Sequence, residues 1–227
     1  ASLTFAFTHS HWFNAVETEV YAFSGFMTAL VVFLIMRWSQ KIHDSNHIIY
    51  LIFISYIIGL ATGLHLLNLL TIPFIGLIIY FSIGKLSTKN LILTFIFSLI
   101  IFFGIQSVII KGLPQLTASL GLVGLSFLII LWVIATIYSI KSNKTFLSIF
   151  LSSVLLIVIG YSTYFAIFIR YGQNPNIDEN NPETISEAIS YLNRDQYGQM
   201  TILPRKFDNL PSKISIMGSP ADDNSQF

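Results

Sequence analysis

Residues 9–38, HSHWFNAVETEVYAFSGFMTALVVFLIMRW, place a polar and aromatic opening directly before a long apolar run. That run, residues 20–38, is long enough to cross a bilayer as a helix. Glu17 and Glu19 lie at its start, and the rest of residues 1–170 contains only one other acidic residue, Asp44. A carboxylate beside lipid is costly to hold, so these two glutamates are candidates for a functional site.

The composition of the whole chain indicates a membrane protein. Of its 227 residues, 54% are hydrophobic and only 10% are charged, whereas a soluble domain carries about 25% charged residues. Residues 1–170 hold eight Lys or Arg and three Asp or Glu, whereas residues 171–227 hold four and eight. We therefore predict a transmembrane domain over residues 1–170 and an acidic extracytoplasmic tail, or the start of a soluble region, over residues 171–227.

Six apolar segments predict the transmembrane helices. They are residues 20–38, 48–67, 69–83, 91–110, 120–140 and 146–169. Only helices or closed barrels satisfy backbone hydrogen bonds in lipid, and the alternating pattern of barrel strands is absent. We expect an all-α, polytopic bundle of about six spans. The third segment is short and carries Pro73, so it is either a tilted span or half of a re-entrant pair.

The positive charges predict the orientation of the bundle. Cytoplasmic loops are enriched in Lys and Arg. Such residues follow the first, third and fifth segments: Arg37, Lys41, Lys85, Lys89, Lys141 and Lys144. The opposite side has only Lys111 and Arg170 next to the spans. We therefore expect residues 9–21, the connection at 65–68 and the tail to share one extracytoplasmic cavity.

Glu17 and Glu19 are the candidate catalytic residues. On a helix they would point about 200° apart, so only one of them could face the cavity. The alternative is that both are interfacial acids at a helix N-terminus, where negative charge is favourable.

His65 and Asn68 are candidate substrate-binding residues in the stretch GLHLLN. They are three residues apart, the spacing of helix neighbours, and together they could hold a phosphate or a sugar hydroxyl. The alternative for His65 is an ordinary hydrogen-bonded residue at a helix end. Arg170 and Tyr171 follow the last span and could bind an anionic headgroup or a lipid-linked phosphate. Ordinary snorkelling of Arg170 to the interface is the competing interpretation.

For the other four histidines, a role in metal binding is less favoured than an ordinary position at the interface or in a loop. His9 and His11 could bind a metal, but the neighbouring Trp12 and Phe13 favour an interfacial aromatic belt. His43 and His47 have ligand spacing, yet solvated loop histidines are the better interpretation. We predict no metal site, and the need for a divalent metal stays open.

Other motifs limit the function or predict packing. The sequence has no cysteine, no nucleotide-binding glycine motif, no GxSxG and no HExxH. Basic patches suited to nucleic acid are also absent.

Gly59 and Gly63 form a small-xxx-small pattern that lets a neighbouring helix approach closely. Residues 182–193 predict an amphipathic helix, opened by Asn181 or Pro182, that docks on the membrane domain.

Three motifs occur in a specific order along the chain. They are FTHSHWFNAVETEVYAFSGF at 7–26, IGLATGLHLLNLLTIP at 58–73 and RYGQNPNIDENNPETISEAISYLNRDQYG at 170–198. Together they resemble the bacterial polytopic membrane family known as domain-of-unknown-function family 2723. That family is similar to transmembrane protein O-mannosyltransferases and belongs with the GT-C glycosyltransferases. The resemblance implies a multi-pass protein of the bacterial inner membrane.

The resemblance also implies a reaction and its participants. A GT-C enzyme moves a sugar, here a hexose such as mannose, from a polyprenyl-phosphate carrier to an acceptor such as a protein hydroxyl. The expected partners are membrane lipid, the lipid-linked sugar and an acceptor protein, without nucleic acid. Two other classes stay open: a transporter or flippase for a lipid-linked or anionic solute, and a non-catalytic membrane scaffold.

Residue by residue, the resemblance assigns roles to the three motifs. Glu19 is the first catalytic candidate and Glu17 the second. Tyr21, Asn193 and Arg194 are further candidate substrate-binding residues. His65, Asn68 and Arg170 would contact the substrate, with the phosphate facing His65 or Arg170. The tail would shape the luminal face through Asn174, Pro175, Asn193, Arg194 and Tyr197. GT-C enzymes usually keep a catalytic Asp in their first external loop, and no Asp precedes Asp44. We therefore expect this chain to be an internal fragment without that base.

Overall fold

Helices form every regular element of the computed structural model within the residues that it describes, 2–17, 20–83, 86–173, 182, 184–193 and 195. The α-helices are α1 (Ser2–Ala6), α2 (His9–Val16), α3 (Tyr21–Gln40), α4 (Ile48–Leu64), α5 (Thr71–Ile83), α6 (Thr88–Gly104), α7 (Gly112–Lys141), α8 (Thr145–Tyr161), α9 (Ala166–Tyr171) and α10 (Ile185–Asn193). Leu66–Leu70 and Ser162–Phe165 are 3₁₀ turns, and Ile105–Lys111 is a π-helical segment. The predicted all-α fold is confirmed.

Four helical stretches of the described chain are long and apolar enough to cross a membrane. They are Tyr21–Gln40, Leu66–Ile83, Thr88–Lys141 and Thr145–Tyr171. A fifth apolar helix, Ile48–Leu64, has 17 residues. Large apolar side chains on these helices are exposed, among them Phe33, Phe97 and Phe127, as expected for surfaces that face lipid. These features identify a polytopic helical membrane bundle.

The predicted fourth and fifth spans are not separated by a loop. Residues 88–141 form one helical stretch of 54 residues, and its break lies at Gly121, with φ 67° and ψ 174°. Pro114 lies inside this stretch, three residues after the π-helical segment Ile105–Lys111. The π-helical segment just before it also changes the hydrogen-bond register. The break in this stretch therefore lies at Gly121, inside the predicted fifth segment, and not between residues 110 and 120 as the predicted segments implied.

Helices α4 and α8 pack closely against each other. A Cβ atom on Gly59 would overlap the carbonyl oxygen of Ile157, and one on Gly160 would lie 2.6 Å from the carbonyl oxygen of Tyr56. Gly63 faces Thr163, whose Oγ1 would lie 3.4 Å from an added Cβ. The predicted close approach at Gly59 and Gly63 is confirmed. Because residue numbers rise together along the contact, the two helices run parallel.

The contacts define two ends of the bundle. The Asn68 end holds the start of α3, the 3₁₀ turn Leu66–Leu70 and the last turn of α8. Helix α3 runs away from this end and α4 returns to it, so the turn 41–47 between them lies at the opposite end. Helix α8 is parallel to α4, so the turn 142–144 before α8 lies at that end too. Helix α5 runs from Thr71 toward this opposite end, and α6 begins there at Thr88, next to Lys89. We call this the basic end.

Helix α10 docks on the membrane bundle, as predicted. It contacts α7 and the π-helical segment, and Leu192 packs against the buried core. Its start differs from the prediction, because Thr184 opens the helix: the Thr184 amide donates to Glu187 Oε2 at 2.8 Å. The Glu187 amide donates to Thr184 Oγ1 at 3.3 Å in return. This capping box stabilises the first turn better than Pro182 could.

Candidate functional site

Asn68 is the polar centre of the Asn68 end. Its side chain is 4% exposed, and Oδ1 accepts hydrogen bonds from Ser24 Oγ at 3.2 Å and Thr28 Oγ1 at 2.8 Å. Its Nδ2 donates to the carbonyl oxygens of Ala61 at 2.8 Å and His65 at 3.0 Å. Both donors and both acceptor positions of the amide are thus used. Asn68 joins α3 to the end of α4, and its role in binding substrate stays a prediction.

His65 lies beside Tyr21, so the structure brings two predicted site residues together. The two rings are 5.7 Å apart between centroids in an edge-on arrangement. The Leu67 amide donates to His65 Nδ1 at 3.4 Å. In the neutral ring the proton is therefore assigned to Nε2, which leaves Nε2 as a hydrogen-bond donor. His65 is half-buried, as expected for a residue at the rim of a cavity.

The end of α8 and helix α10 reach the same end of the bundle. Gly63, two residues before His65, faces Thr163 and Tyr164. The phenol groups of Tyr164 and Tyr191 lie near each other, which places α10 beside the turn after α8. The end of α4 therefore meets the end of α8, and the predicted meeting of the 65–68 connection with the tail in one cavity stays a prediction. The side of the membrane on which this end lies stays a prediction.

Glu17 lies outside both neighbouring helices. Helix α2 ends at Val16, and Glu17 has extended backbone angles, φ −69° and ψ 146°. Helix α3 starts only at Tyr21. The angle of about 200° between the glutamates applies to a helix, and Glu17 is not helical: it is exposed directly after the end of α2. Glu19 lies outside the described residues, and the catalytic role of both stays a prediction.

The other predicted site residues lie further along the chain. Arg170 is exposed near the end of α9 and donates to Gln173 Oε1 at 3.2 Å. Asn193 is the exposed last residue of α10. Arg194 lies outside the described residues, as do Asn174, Pro175 and Tyr197. No contact joins Arg170 or Asn193 to His65 within the described part, so their roles in binding also stay predictions.

An open cleft of about 540 Å³ lies between the opening helices and the first part of α3. It is lined by Phe5, Thr8, Ser10, His11, Asn14, Tyr21, Ala22, Gly25, Phe26 and Ala29. Tyr21 belongs to this lining and also contacts His65. The cleft therefore continues from the residue pair at the Asn68 end along the side of α3.

The described contacts of His9, His11 and His47 are with aromatic rings or a backbone carbonyl oxygen. His11 lies 4.5 Å from the ring of Phe5, and His9 stacks on Phe13 at 6.3 Å. At the basic end, His47 Nδ1 is 2.8 Å from the carbonyl oxygen of Asp44. Among the residues that the structure describes, no group of three or more His, Asp or Glu is placed to hold a metal ion.

Ser24 and Thr28 are site residues that the sequence analysis did not single out. They are four residues apart in an otherwise apolar span, so they lie on one face of α3. That spacing of two hydroxyls was the available signal for a polar partner on another helix. Their partner, Asn68, lies 44 and 40 residues further along the chain.

Comparison with known proteins gives one match, over the part of the chain that contains this end of the bundle. Residues 1–90 match the sequence model of the family described as the protein O-mannosyl-transferase TMEM260 N-terminal domain. No curated protein and no solved structure matches the chain. The matched residues include α2, α3, α4 and the Asn68 turn. The N-terminal 90 residues are therefore similar to the N-terminal domain of a protein O-mannosyl-transferase, which supports a membrane protein of the O-mannosyltransferase-like kind.

Proposed function

We propose that this chain is part of a membrane glycosyltransferase of the GT-C type. In this proposal it moves a hexose, such as mannose, from a polyprenyl-phosphate carrier to a protein hydroxyl. The observation that carries the proposal is the family match over residues 1–90, combined with the meeting of Tyr21, His65 and Asn68 inside that region. In this proposal the Asn68 end lies on the extracytoplasmic side of a bacterial inner membrane, as the resemblance to family 2723 implies.

The chemistry assigns one task to each group. A carboxylate removes the proton of the acceptor hydroxyl, whose oxygen then bonds to the anomeric carbon as the sugar–phosphate bond breaks. Glu19 orients the acceptor or the base, with Glu17 as the second candidate. The carrier phosphate leaves with the bonding electron pair and needs hydrogen-bond donors. His65 Nε2 is suited to this task because the Leu67 amide occupies Nδ1, and Arg170 is the second donor.

In this proposal Asn68 positions His65, whereas its motif implied that Asn68 binds the substrate. All its hydrogen-bonding positions are used by Ser24, Thr28, Ala61 and His65. It therefore holds His65 against α3 instead of contacting the sugar directly. A contact from Asn68 to substrate would require one of these bonds to break.

The test is a transfer assay on the full-length protein in membranes. Polyprenyl-phosphate mannose is the donor, an acceptor protein is supplied, and the sugar attached to protein is measured. We expect Glu19→Gln to lower turnover by about a hundredfold, the effect of misplacing the acceptor or the base by about 1 Å. Asp44→Asn is the matched control, because this exposed carboxylate at the basic end forms only a 3.8 Å ion pair with Lys41. Turnover unchanged by Glu19→Gln would remove Glu19 from the site.

The same assay separates the other two functional classes. Carrier movement across vesicle membranes without sugar attached to protein would favour a transporter or flippase. If Glu17→Gln and Glu19→Gln together left both transfer and flux intact, a non-catalytic scaffold would be favoured. Repeating the transfer with a chelator present determines whether a divalent metal takes part.

A further inference from the structure

The polar side of α2 faces the bundle. Its side chains Ser10, His11 and Asn14 line the cleft beside α3, together with Thr8 from the turn before it. At about 100° per residue, the three side chains of α2 lie within a sector of about 100° around the helix axis. His11 also packs against the ring of Phe5, with 4.5 Å between the ring centroids. The polar groups of α2 are thus gathered on the side that borders α3.

The apolar side of α2 points away from the bundle. Trp12, Phe13 and Val16 are 63%, 53% and 65% exposed, and they lie in a sector centred about 200° from the polar one. Leu3 of α1 and Phe7 just after it are 76% and 78% exposed. An amphipathic helix that packs on a core in water buries its apolar side instead. The reversed orientation of α2 is favourable where its surroundings are apolar.

The opening helices lie beside the first part of the span and not beyond its end. The cleft that they border is lined on the α3 side from Tyr21 to Ala29, which is about 12 Å at about 1.5 Å per residue. Helix α3 starts at Tyr21, and its 20 residues match a hydrocarbon layer about 30 Å thick. The opening helices therefore lie at the depth of one leaflet. At the same depth α3 exposes the ring of Phe23, so the lipid-facing surface of the bundle reaches the level of α2.

We infer that residues 2–16 form a membrane-embedded segment folded back along α3, with the apolar side of α2 in the lipid of one leaflet and its polar side turned to the cleft. This inference does not depend on sugar transfer. It also goes beyond the interfacial aromatic belt that Trp12 and Phe13 predict, because it gives the segment a depth and assigns opposite surroundings to the two sides of one helix.

The composition of the segment identifies lipid as the occupant of the apolar side. Residues 1–16 contain no Asp, Glu, Lys or Arg, so no charged side chain opposes immersion in lipid. Trp12 is of the residue type that is enriched at the boundary between headgroups and hydrocarbon. His9 lies on the same side of α2 and stacks on Phe13 at 6.3 Å, which provides a polar group at that boundary. The contact is therefore apolar and needs no anionic lipid.

Spin labels at single cysteines test this orientation in the full-length protein in phosphatidylcholine nanodiscs. Two labels replace the apolar-side residues Phe13 and Val16, and two replace the polar-side residues Ser10 and Asn14. The quenchers are molecular oxygen, which is apolar and concentrates in lipid, and a water-soluble nickel chelate. The ratio of the oxygen to the nickel collision rate is measured for each label by electron paramagnetic resonance.

Two reference labels define the expected result. Phe33 is exposed on α3 within the span and is the lipid reference, and Asp44 is exposed in the turn 41–47 and is the water reference. We expect the apolar-side ratios to match the lipid reference and to be several times the polar-side ratios, which should match the water reference. Nickel collisions at the apolar side as frequent as at Asp44 would place that side in water. Low collision rates of both quenchers there would show that protein covers it, and either result would overturn the inference.

A matched pair of lysine variants gives a second measurement. Val16→Lys places a charge on the lipid-facing side, whereas Asn14→Lys places it in the open cleft. With the spin label at Phe13, we expect Val16→Lys to raise the nickel collision rate several times, because a charge is costly in lipid and draws this side of α2 toward water. Asn14→Lys should leave that rate unchanged. Equal effects of the two lysines would overturn the inference.

Discussion

At the scale of single residues, Asn68 shows what a polar side chain does inside an apolar bundle. An amide in lipid must find partners for two donors and two acceptor positions, or its burial is costly. Ser24, Thr28 and the carbonyls of Ala61 and His65 supply them. The sequence predicted that Asn68 and His65 belong to one polar site. It could not show that the amide is saturated, because that depends on contacts with α3 that only the packed bundle defines.

Replacing Asn68 by Leu tests this network. The change removes four hydrogen bonds and leaves the hydroxyls of Ser24 and Thr28 and the carbonyl of Ala61 without this partner. We expect the free energy of unfolding to fall by about 2 kcal/mol, since hydrogen bonds between membrane helices contribute only modestly. The measurement is chemical unfolding of the purified protein in detergent. Asn46→Leu, at an exposed position in the turn of the basic end, is the control, and equal stability of the two variants would contradict the network.

At the scale of helices, the positions of the spans followed from hydropathy, whereas their junctions did not. The segment ends were set by local geometry: a break at Glu17, a π-helical segment before α7 and a kink at Gly121. Hydropathy averages over such single-residue events, so it cannot locate them. The contact between α4 and α8 was different. Two glycines four residues apart let a neighbouring membrane helix approach closely, and the sequence correctly predicted such an approach, although it did not identify α8 as the neighbour.

The α4–α8 contact predicts a large effect of a small substitution. Gly59→Ala places a Cβ against the carbonyl of Ile157, so one of the helices must move. We expect a loss of about 1–3 kcal/mol in the free energy of unfolding, as for other overpacked sites. Gly25→Ala is the control, since its Cβ meets nothing within 4 Å. If both variants unfold at the same denaturant concentration, the close contact of α4 with α8 is wrong.

The kink at Gly121 gives a prediction about backbone conformation. Its φ of 67° lies in a region that side chains disfavour, and Gly121→Ala should lower the free energy of unfolding by about 1–3 kcal/mol. Gly104 has helical angles, φ −61° and ψ −47°, so Gly104→Ala should leave stability equal or raise it by up to about 1 kcal/mol. Thermal unfolding of both variants in detergent measures the difference. A Gly121→Ala protein as stable as the unsubstituted one would show that α7 continues straight through this position.

At the scale of the whole molecule, charge and contact agree on two distinct ends. Arg37, Lys41, Lys89, Lys141 and Lys144 lie in or next to the connections at the basic end. The Asn68 end gathers α2, α3, the Leu66–Leu70 turn and, through Tyr164 and Tyr191, helix α10. The positive-inside rule predicted this division from sequence. The sequence predicted only that these segments lie on the same side of the membrane. It could not predict which of their residues are in contact, because hydropathy and loop charge do not identify the neighbours of a segment.

The central claim is that the Asn68 end opens outside the cytoplasm, and single cysteines test it most directly. The 227 residues contain no cysteine, so one can be introduced at a time at exposed positions of each end. The positions are Asn14, Leu67 and Ser186 at the Asn68 end, and Asp44, Lys89 and Ser142 at the basic end. We predict that a membrane-impermeant maleimide applied to intact cells labels the first three, and labels the last three only after permeabilisation. Labelling of Asp44, Lys89 and Ser142 from outside, with the other three protected, would contradict the account.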